Sequence, residues 1–598
     1  MFIAYRTADD AERADVERGI ARYSQLYRNL LDIELEHTHH DLGPLQVHTL
    51  EGTKARVPVV QSNERRAVLL TGRPTCLASA GMDVHQFTTR LLEQDAISAD
   101  DFVRELQGEF VAIVVDRANN RWEIAMDSVG LDQVYFWNAE GRLLISDTLY
   151  LLATTKPLEL DPVGCNSLML CSYIFGTSTL FKDTQALRMN EALSGSADTW
   201  DITDSYHFAE AQGGPATIPE VAEAYVDAAK PRFSPEDPIR HTITGGTDSR
   251  FVGALLSHLG LRPTYFNDRW DPTDVTIGHN LANELGLDYL SISGPRTIST
   301  RHTQQRSILA EALLLDGALR PPLPMATYIR DMPPNGVLTM GNFGASVLKY
   351  TWGVGYAGML NPTPDKIVQR LVDYSAIENS YPAGTFTSDP IPAVKRYLAE
   401  TMTHQAALVQ GVDHVKLSNY LYLHNRGARW AAHTLKATNH LMTLEQPIAY
   451  AAAVATIWRA PSHLYKDIRM ARELIHILEP RLTKYNFADG TPAYLDFGWR
   501  ERLAVTYNRQ IKKAVRIIKK QLFNIKGKKY QGLMRIPGKA TPSSELIPRW
   551  AYDDDQRRTL HLFGSVGSNP NQVGAAKLKY ILTFEMAARL YEGEITSD

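Results

Sequence analysis

The chain has 598 residues, of which 44% are hydrophobic and 22% are charged, and its formal net charge is −4. This composition is that of an ordinary globular protein with more than one domain, and the charge argues against a general nucleic-acid binder. Three cysteines, Cys76, Cys165 and Cys171, form neither a disulfide framework nor a metal-ligand motif, so we expect a reducing cytoplasm.

The sequence predicts neither a signal peptide nor a membrane span. Charged residues soon follow the opening Met1-Phe2-Ile3-Ala4. No run of about 18 uncharged apolar residues occurs.

The first sixty or so residues predict an amphipathic helix over 8–36, followed by strands. The cluster His37-Thr38-His39-His40 suggests a metal site, but no cysteine or carboxylate within it completes one. We therefore favour a solvated turn after the helix.

Residues 65–155 alternate between strands and a helical interlude over 84–107. Strands are predicted over 68–72, 109–116, 121–127 and 141–147, with a hairpin turn at Asn119-Asn120.

The order of short motifs in this region is similar to that of the N-terminal glutaminase domain of asparagine synthetases. The motifs are Gly108-Glu109-Phe110, Asp116-Arg117, Asp127 through Gly130, Tyr135-Phe136 and Leu144-Ile145-Ser146. The resemblance implies an Ntn-hydrolase-like αββα sandwich over 1–190. In that family a cysteine at the N-terminus attacks the glutamine amide. Position 2 here is Phe2, so the resemblance implies a domain that is structural or recognises substrate, and that cannot release ammonia from glutamine.

Residues 156–240 connect the two halves of the chain. Cys171 through Gly176 and Thr179-Leu180-Phe181 resemble the segment that leads from glutaminase to synthetase in that family. A helix is predicted over Ile218–Ala229, before the next strand.

A strand, a glycine turn and a helix follow at 241–259. Gly245 and Gly246 allow a tight turn that presents backbone N–H groups to phosphate. The spacing is neither that of a Walker loop nor that of a dinucleotide fingerprint, and a plain strand-to-helix turn stays an alternative.

The stretch Thr244-Gly245-Gly246-Thr247-Asp248-Ser249 resembles the Ser-Gly-Gly-x-Asp-Ser loop of N-type ATP pyrophosphatases. Those enzymes cleave ATP between the α and β phosphates, so the resemblance implies adenylation. It also implies that these six residues bind ATP and that Asp248 holds Mg²⁺.

Strand 264–267, helix 274–285 and strand 288–292 make a βαβ unit, which predicts a parallel sheet with its ligands at the carboxyl ends of the strands. The resemblance places adenine against Phe266 and Asn267. It implies a parallel-sheet α/β ATP pyrophosphatase domain (adenine nucleotide alpha hydrolase-like) over 205–500, with helical additions toward the C-terminus.

The stretch 337–350 resembles the second glycine turn of that family, with matches at Gly341 and Gly344. Met340, Gly341 and Asn342 are accordingly candidate nucleotide contacts. Ser346 stands where an acidic residue is expected, which puts metal binding in question, and a turn without a catalytic part stays an alternative.

Residues 360–480 are predicted to be mainly helical, with an amphipathic segment over 426–439. Glu445-Gln446-Pro447-Ile448 resembles the segment that lines the acyl-adenylate pocket of the family. Lys466 and Arg469 are both candidates for the cation that stabilises developing charge.

The extension 501–598 begins with a basic amphipathic helix. Nine Lys or Arg and no acid lie between 509 and 530, with apolar residues at helical spacing. It could meet an acidic peptide, a membrane surface or nucleic acid, or simply pack on the body.

The sequence thus looks like a member of the asparagine synthetase-like group that binds ATP and Mg²⁺, adenylates a small-molecule or peptide carboxylate and lets an amine displace AMP. Relatives without the thiol include β-lactam synthetases and lasso-peptide cyclases, and the basic segment suits the second. A catalytically silent nucleotide-binding or scaffolding protein is the alternative. A nucleobase-thiolating enzyme would want cysteines near the loop, which Cys165 and Cys171 are not.

Overall fold

The computed structural model describes residues 1–6, 10–52, 58–77, 81–139, 141–268, 271–292, 309–317, 332–333, 335–349, 363–375, 386, 388–493, 558–559, 583–592 and 595. The basic segment at 509–530 lies outside these residues, as does most of the extension 501–598. Among the helices within these ranges, none combines the length and the hydropathy that a bilayer crossing requires.

Antiparallel strands and helices form the first unit of the chain. Its strands are β1 (Phe2–Arg6), β2 (Glu36–Asp41), β3 (Leu45–Glu51), β4 (Val59–Ser62), β5 (Arg66–Gly72), β6 (Thr75–Cys76), β7 (Leu106–Gln107), β8 (Phe110–Asp116), β9 (Arg121–Met126), β10 (Tyr135–Ala139), β11 (Arg142–Ser146), β12 (Thr184–Ala186), β13 (Glu191–Ser196) and β14 (Trp200–Asp204). Its helices are α1 (Asp10–Leu31), α2 (Val84–Leu92), α3 (Ala99–Glu105), α4 (Leu149–Thr155) and α5 (Pro162–Cys171). Two six-stranded sheets result, with the orders β12-β10-β11-β1-β3-β2 and β14-β13-β9-β8-β5-β4.

Apolar residues on both faces of the two sheets arrange this unit in four layers. Along β8, Val111 and Ile113 enter the core between the sheets, whereas Ala112 and Val114 enter the core shared with α2 and α3. Helices α1, α4 and α5 supply the core on the outer face of the first sheet. This alternation of faces is what a strand buried on both sides requires. The predicted αββα sandwich is confirmed.

A parallel sheet organises the second unit. Its strands are β15 (Ile239–Thr242), β16 (Thr264–Asp268), β17 (Tyr289–Ile292), β18 (Val337–Thr339) and β19 (Thr443–Glu445). Its helices are α6 (Ile218–Ala229), α7 (Thr247–His258), α8 (Pro272–Leu285), α9 (Gly344–Val347), α10 (Pro364–Ser375), α11 (Ile391–Ala407), α12 (His414–Tyr422), α13 (Ala432–Asn439), α14 (Ala451–Arg459) and α15 (Arg469–Leu478), and a π-helix (Leu423–Ala431) joins α12 to α13.

The strand order of this sheet is β17-β16-β15-β18-β19, and all neighbouring strands are parallel. From β15 the chain adds β16 and β17 on one side of the sheet, and it then returns to add β18 and β19 on the other side of β15. In open parallel sheets such a switch point leaves a crevice at the carboxyl ends of the strands, where ligands bind. The predicted α/β domain is confirmed, and its topology marks β15 and β18 as the place to look for a site.

The two units share an apolar core and buried ion pairs. Val129, Leu131 and Met189 of the first unit enter the core of the second. Lys436 on α13 places its Nζ atom 3.2 Å from Oδ1 of Asp132, and both side chains are buried. The units are therefore packed against each other over a desolvated surface.

Several predicted boundaries were wrong. The helix predicted over 84–107 is two helices and a short strand, because Ser98 and Asp101 form a reciprocal capping box that starts α3 anew. The predicted turn at His37–His40 is part of edge strand β2, where His37 Nε2 lies 2.8 Å from His48 Nδ1. The second sheet extends through β14, and the domain bounds 1–190, 205–500 and 501–598 stay predictions.

Residues near the end of the chain pack on the first unit. Phe584, Met586 and Leu590 join the core that α1 and α4 form on the first sheet. Residues 583–592 thus dock on the body of the first unit.

Candidate functional site

The turn after β15 presents an uncapped helix N-terminus at the switch point. Gly246 is the N-cap residue of α7, and no side chain caps it. The first backbone N–H groups of a helix have no partner within the helix and carry partial positive charge. In the first loop, residues 244–248, the backbone N–H groups of Gly245 and Gly246 donate to Asp274 and Thr244, so the N–H groups of Thr247 and Asp248, at the start of α7, are the candidate donors to an anion.

Thr244 and Ser249 brace the first loop internally. Ser249 Oγ accepts a hydrogen bond from the backbone N–H of Thr244 at 3.0 Å and lies 2.9 Å from Thr244 Oγ1. Thr244 Oγ1 also accepts from the backbone N–H of Gly246 at 3.2 Å. These two predicted ATP contacts thus hold the turn in shape with their hydroxyl groups.

A buried histidine connects the loop to both central strands. His241 on β15 has its Nε2 atom 2.7 Å from the carbonyl oxygen of Ser249 and its Nδ1 atom 2.8 Å from Thr339 Oγ1 on β18. Burial lowers the pKa of His241 to about 4, so the ring is neutral at pH 7. Its Nε2 donates to the carbonyl, which fixes the start of α7 against the sheet.

The second loop, residues 340–344, lies against the first without room for a side chain. A Cβ added to Gly341 would be 2.6 Å from the carbonyl carbon of Asp248 and closer still to the backbone nitrogen of Ser249. A Cβ added to Gly344 would be 2.6 Å from Oδ2 of Asp248. The glycines predicted to match the family pattern are therefore required by the close approach of the two loops.

Asp248 is held in an ion pair. The Nζ atom of Lys349, just after α9, lies 2.8 Å from Oδ1 and 2.9 Å from Oδ2 of Asp248. Ala345 and Ser346 offer no carboxylate in this loop, and Ser346 Oγ donates to the carbonyl oxygen of Phe343. In the part of the chain that the structure describes, no group of three His, Cys, Asp or Glu could hold a metal ion. The groups around Asp248 fit an ammonium ion better than a Mg²⁺ ion held by the protein, and the metal role of Asp248 stays a prediction.

The outer wall of the first loop comes from the segment after α15. The backbone N–H of Ala488 donates to the carbonyl of Gly245 at 2.9 Å. Arg250 on α7 is fully buried and donates to the carbonyl oxygens of Leu482, Tyr485 and Asn486. Because no carboxylate faces it, burial lowers the pKa of Arg250 to about 10.

We expect Arg250→Met to lower the free energy of unfolding by about 2 kcal/mol, because methionine fills much of the space but leaves buried carbonyl groups without a donor. Urea unfolding measures this. Arg262→Met is the control, since exposed Arg262 also donates to one carbonyl, that of Gly286. Equal losses in the two variants would contradict the bracing role of Arg250.

The carboxyl end of β16 offers a buried amide. Phe266 is fully buried, and its carbonyl accepts from the backbone N–H of Ile243 at 2.9 Å. Asn267 is also buried and accepts from the Tyr289 hydroxyl at 2.6 Å, but its Nδ2 atom has no hydrogen-bond partner within the described residues. A buried polar atom without a partner often indicates a missing ligand or water. Asn267 therefore stays a candidate contact for a base.

Two neighbouring residues at the carboxyl end of β19, Glu445 and Gln446, have different surroundings. Glu445 accepts from Arg73 and Arg232 and serves the junction between the units. The neighbouring Gln446 is buried, and both polar atoms of its side chain lack a partner within the described ranges. Gln446 thus stays a candidate for substrate recognition within the predicted acyl-pocket segment.

The remaining predicted site residues lie in different parts of the structure. Met340 donates its backbone N–H to the carbonyl of Glu445, and Asn342 lies in the second loop, partly exposed. Arg469 is exposed at the start of α15 and pairs with Glu473 on the same helix, so no described contact joins it to the loops. The side chain of Lys466 lies outside the described residues.

No described thiol is placed for catalysis. Phe2, at the position of the missing nucleophile, is fully buried between the two sheets. Cys76, Cys165 and Cys171 are buried, and burial raises the pKa of Cys76 to about 11 and that of Cys165 well above its usual value. Neither a glutaminase nor a thiolating enzyme gains support from these groups.

The matches with known proteins are distant. No family profile matches the chain. Amidase chry2 of Gibberella zeae is 25% identical over 167 residues, which cover 26% of this chain and 24% of that protein, so the chain spans about a quarter of the relative it matches.

Among the solved structures similar to this chain, three illustrate the low scores. The allosteric regulatory enzyme of purine biosynthesis has a TM-score of 0.25 and 8% identity, covering 62% of this chain and 78% of that one. Glutamine phosphoribosylpyrophosphate amidotransferase from B. subtilis, complexed with ADP and GMP, has a TM-score of 0.24 and 7% identity over 56% and 74% of the two chains. NMN synthetase from Francisella tularensis has a TM-score of 0.17 and 14% identity over 35% and 93%. Scores this low do not establish a common fold, so the fold assignment rests on the topology described above.

Proposed function

We propose that this chain is an ATP-dependent carbon–nitrogen ligase of the asparagine synthetase-like group, which adenylates a carboxylate and releases pyrophosphate. The supporting observation is the pair of glycine loops that meet at the switch point of the parallel sheet. Gly341 touches the backbone of the first loop, whose Thr-Gly-Gly-Thr-Asp-Ser sequence resembles that of ATP pyrophosphatases. An uncapped helix N-terminus closed by a second loop suits a polyphosphate better than a plain turn does.

Groups at the two loops are our candidates for assisting each step of the reaction. An oxygen of the substrate carboxylate attacks the α-phosphorus, the bond to the bridging oxygen breaks, and pyrophosphate leaves with the negative charge. The N–H groups at the start of α7 and the ammonium of Lys349 are placed to hold that charge. Asn267 and the edge of β16 are our candidates for contact with adenine. An amine then attacks the acyl carbon, and AMP leaves with the electron pair of the broken bond.

A small cavity beside the second loop, with room for about one water molecule as it stands, is our candidate for the entry of the carboxylate. Ser346 and Val347 of α9 form one wall, and Phe208, Tyr420 and Trp458 supply aromatic surface opposite. Lys416 is the cation among the lining residues, and burial lowers its pKa. A partly buried ammonium among aromatic rings favours an anionic substrate with an apolar or aromatic body.

The amine is expected to come from the substrate itself or from a second molecule. Phe2 is fully buried between the sheets and the three described cysteines are buried as well, which does not favour glutamine hydrolysis by these residues. This supports a reaction of the β-lactam synthetase or lasso-peptide cyclase type. An acidic peptide partner at 509–530 stays a prediction, because that segment lies outside the described residues.

A catalytically silent nucleotide-binding protein is the second candidate. The ion pair between Lys349 and Asp248 and the absence of an acid at positions 345 and 346 favour it. Both candidates bind a nucleotide at the first loop, and they differ in turnover.

Exchange of radiolabelled pyrophosphate into ATP separates the two. We expect exchange that depends on an added acid, tested first with aromatic and other apolar carboxylates, with and without MgCl₂. A protein that binds ATP in a calorimetric titration but exchanges no label with any acid would be the silent relative. A protein that binds no ATP would remove both proposals.

A further inference from the structure

The ammonium group of Lys349 lies beside the first loop. Its Nζ atom contacts both carboxylate oxygens of Asp248 and also lies 3.2 Å from Thr247 Oγ1. The side chains of Lys349 and Asp248 are 25% and 22% exposed. The ammonium is thus fixed at the rim of the loop, where α7 begins, and remains open to solvent on one side.

The charge of Asp248 makes a cation necessary at this place. An unpaired carboxylate in the first turn of α7 would repel a phosphate group that approaches the same N–H donors. A divalent cation solves this in many phosphate sites by bridging carboxylate and phosphate oxygens. An ammonium group can also bridge them, because it has three N–H donors and no acceptor.

The geometry of this chain favours the ammonium over a metal ion. Lys349 lies within hydrogen-bond distance of both oxygens of Asp248, which are the atoms that a cation would need. Ala345 and Ser346 supply no carboxylate beside Asp248, and Asp274, a second acid at the first loop, already accepts a hydrogen bond from the backbone N–H of Gly245 at 2.8 Å. A metal ion entering here would have to displace a like charge already in place.

We infer that Lys349 takes the place of a protein-bound divalent cation, so that the first loop binds a polyphosphate, as ATP or as free pyrophosphate, without a metal ion held by the protein. This inference rests on the proposed nucleotide site. In the complex, two N–H groups of Lys349 stay on Asp248, and the third turns from Thr247 to a phosphate oxygen.

Calorimetric titration of the full chain with ATP, once in EDTA and once in MgCl₂, tests the inference. We expect the dissociation constants under the two conditions to agree within about threefold, well short of the tenfold that corresponds to 1.4 kcal/mol. Lys349→Met keeps the length of the side chain and removes its charge, and we expect it to weaken binding in EDTA at least about tenfold. Lys395→Met is the matched control, because Lys395 pairs with Asp373 at the same 2.8 Å, on α11 and α10.

Each outcome bears on the inference. Wild-type binding that needs MgCl₂ would overturn it and leave the nucleotide site intact, and this comparison stands even if Lys349→Met fails to fold. Binding in EDTA that survives in Lys349→Met would overturn it too, since the charge would then come from elsewhere. Absence of binding in both buffers would refute the proposed site itself, and the inference with it.

Discussion

Replacing Gly341 by alanine is expected to abolish detectable nucleotide binding at the first loop. The added methyl group would lie 2.6 Å from the carbonyl carbon of Asp248 and nearer to the nitrogen of Ser249. Both neighbours are backbone atoms at the start of α7, so they cannot rotate away as a flexible side chain could. The second loop has to move outward, or the helix N-terminus has to tilt, and either change misplaces the N–H donors.

We expect Gly341→Ala to weaken ATP binding by at least about a hundredfold, or roughly 2.7 kcal/mol, while the sheet stays folded. Calorimetry gives the affinity and far-ultraviolet circular dichroism checks the fold. Gly214→Ala is the control, because a Cβ at Gly214 meets nothing within 4 Å. Unchanged affinity in Gly341→Ala would show that the contact between the two loops does not shape the binding site.

Local patterns were sufficient to predict much of the fold. Helix Ile218–Ala229 was predicted with the bounds that the structure shows, because a capping box begins it at Thr217 and its apolar spacing continues to the end. The strand, glycine turn and helix around Gly245 and Gly246 were also readable, since each signal lies within a few residues.

The charge state of the first loop could not be predicted in the same way. Lys349 lies 101 positions from Asp248 in the chain and reaches it because β18 pairs with β15. The sequence shows a lone acid in a phosphate-binding motif, which suggests a metal ligand. Lys349 can be identified as the ion-pair partner of Asp248 only once β15 and β18 are known to be neighbouring strands.

The contacts between the two units could not be predicted either, because they join residues that lie far apart in the chain. Glu445 was interpreted as part of an acyl pocket, but it faces Arg73 from the first unit and Arg232 from the segment after α6. Three stretches far apart in the chain supply this cluster. The amide next to it, Gln446, kept the predicted role as a candidate, because its side chain has no partner within the described residues.

Glu445 lies at the junction between the two units, in a buried cluster of charged groups. Its carboxylate is 1% exposed and accepts from Arg232 Nε at 2.7 Å, Arg73 Nη1 at 2.7 Å and the Tyr450 hydroxyl at 3.0 Å. Burial opposes its charge, but Arg232 and Arg73 outweigh burial and hold the pKa of Glu445 below its usual value. Glu445→Ala would leave the buried Arg232 with Glu109 as its nearest described acid, at 3.7 Å.

We expect Glu445→Ala to lower the free energy of unfolding by about 3–5 kcal/mol, since it removes the acid that binds two arginines and leaves the buried Arg232 with only the longer ion pair to Glu109 among the described acids. Urea unfolding at pH 7 measures the loss, and Glu159→Ala is the control, with an expected loss below about 1 kcal/mol because the Lys182–Glu159 pair is exposed. A carboxyl group with a lowered pKa in the folded state stabilises the protein above its unfolded pKa of about 4.3, and this contribution is lost as the pH falls below that value. The difference between wild type and Glu445→Ala should therefore shrink in acid. A difference that stayed constant down to pH 3 would mean that lost packing, and not lost charge, weakens the junction.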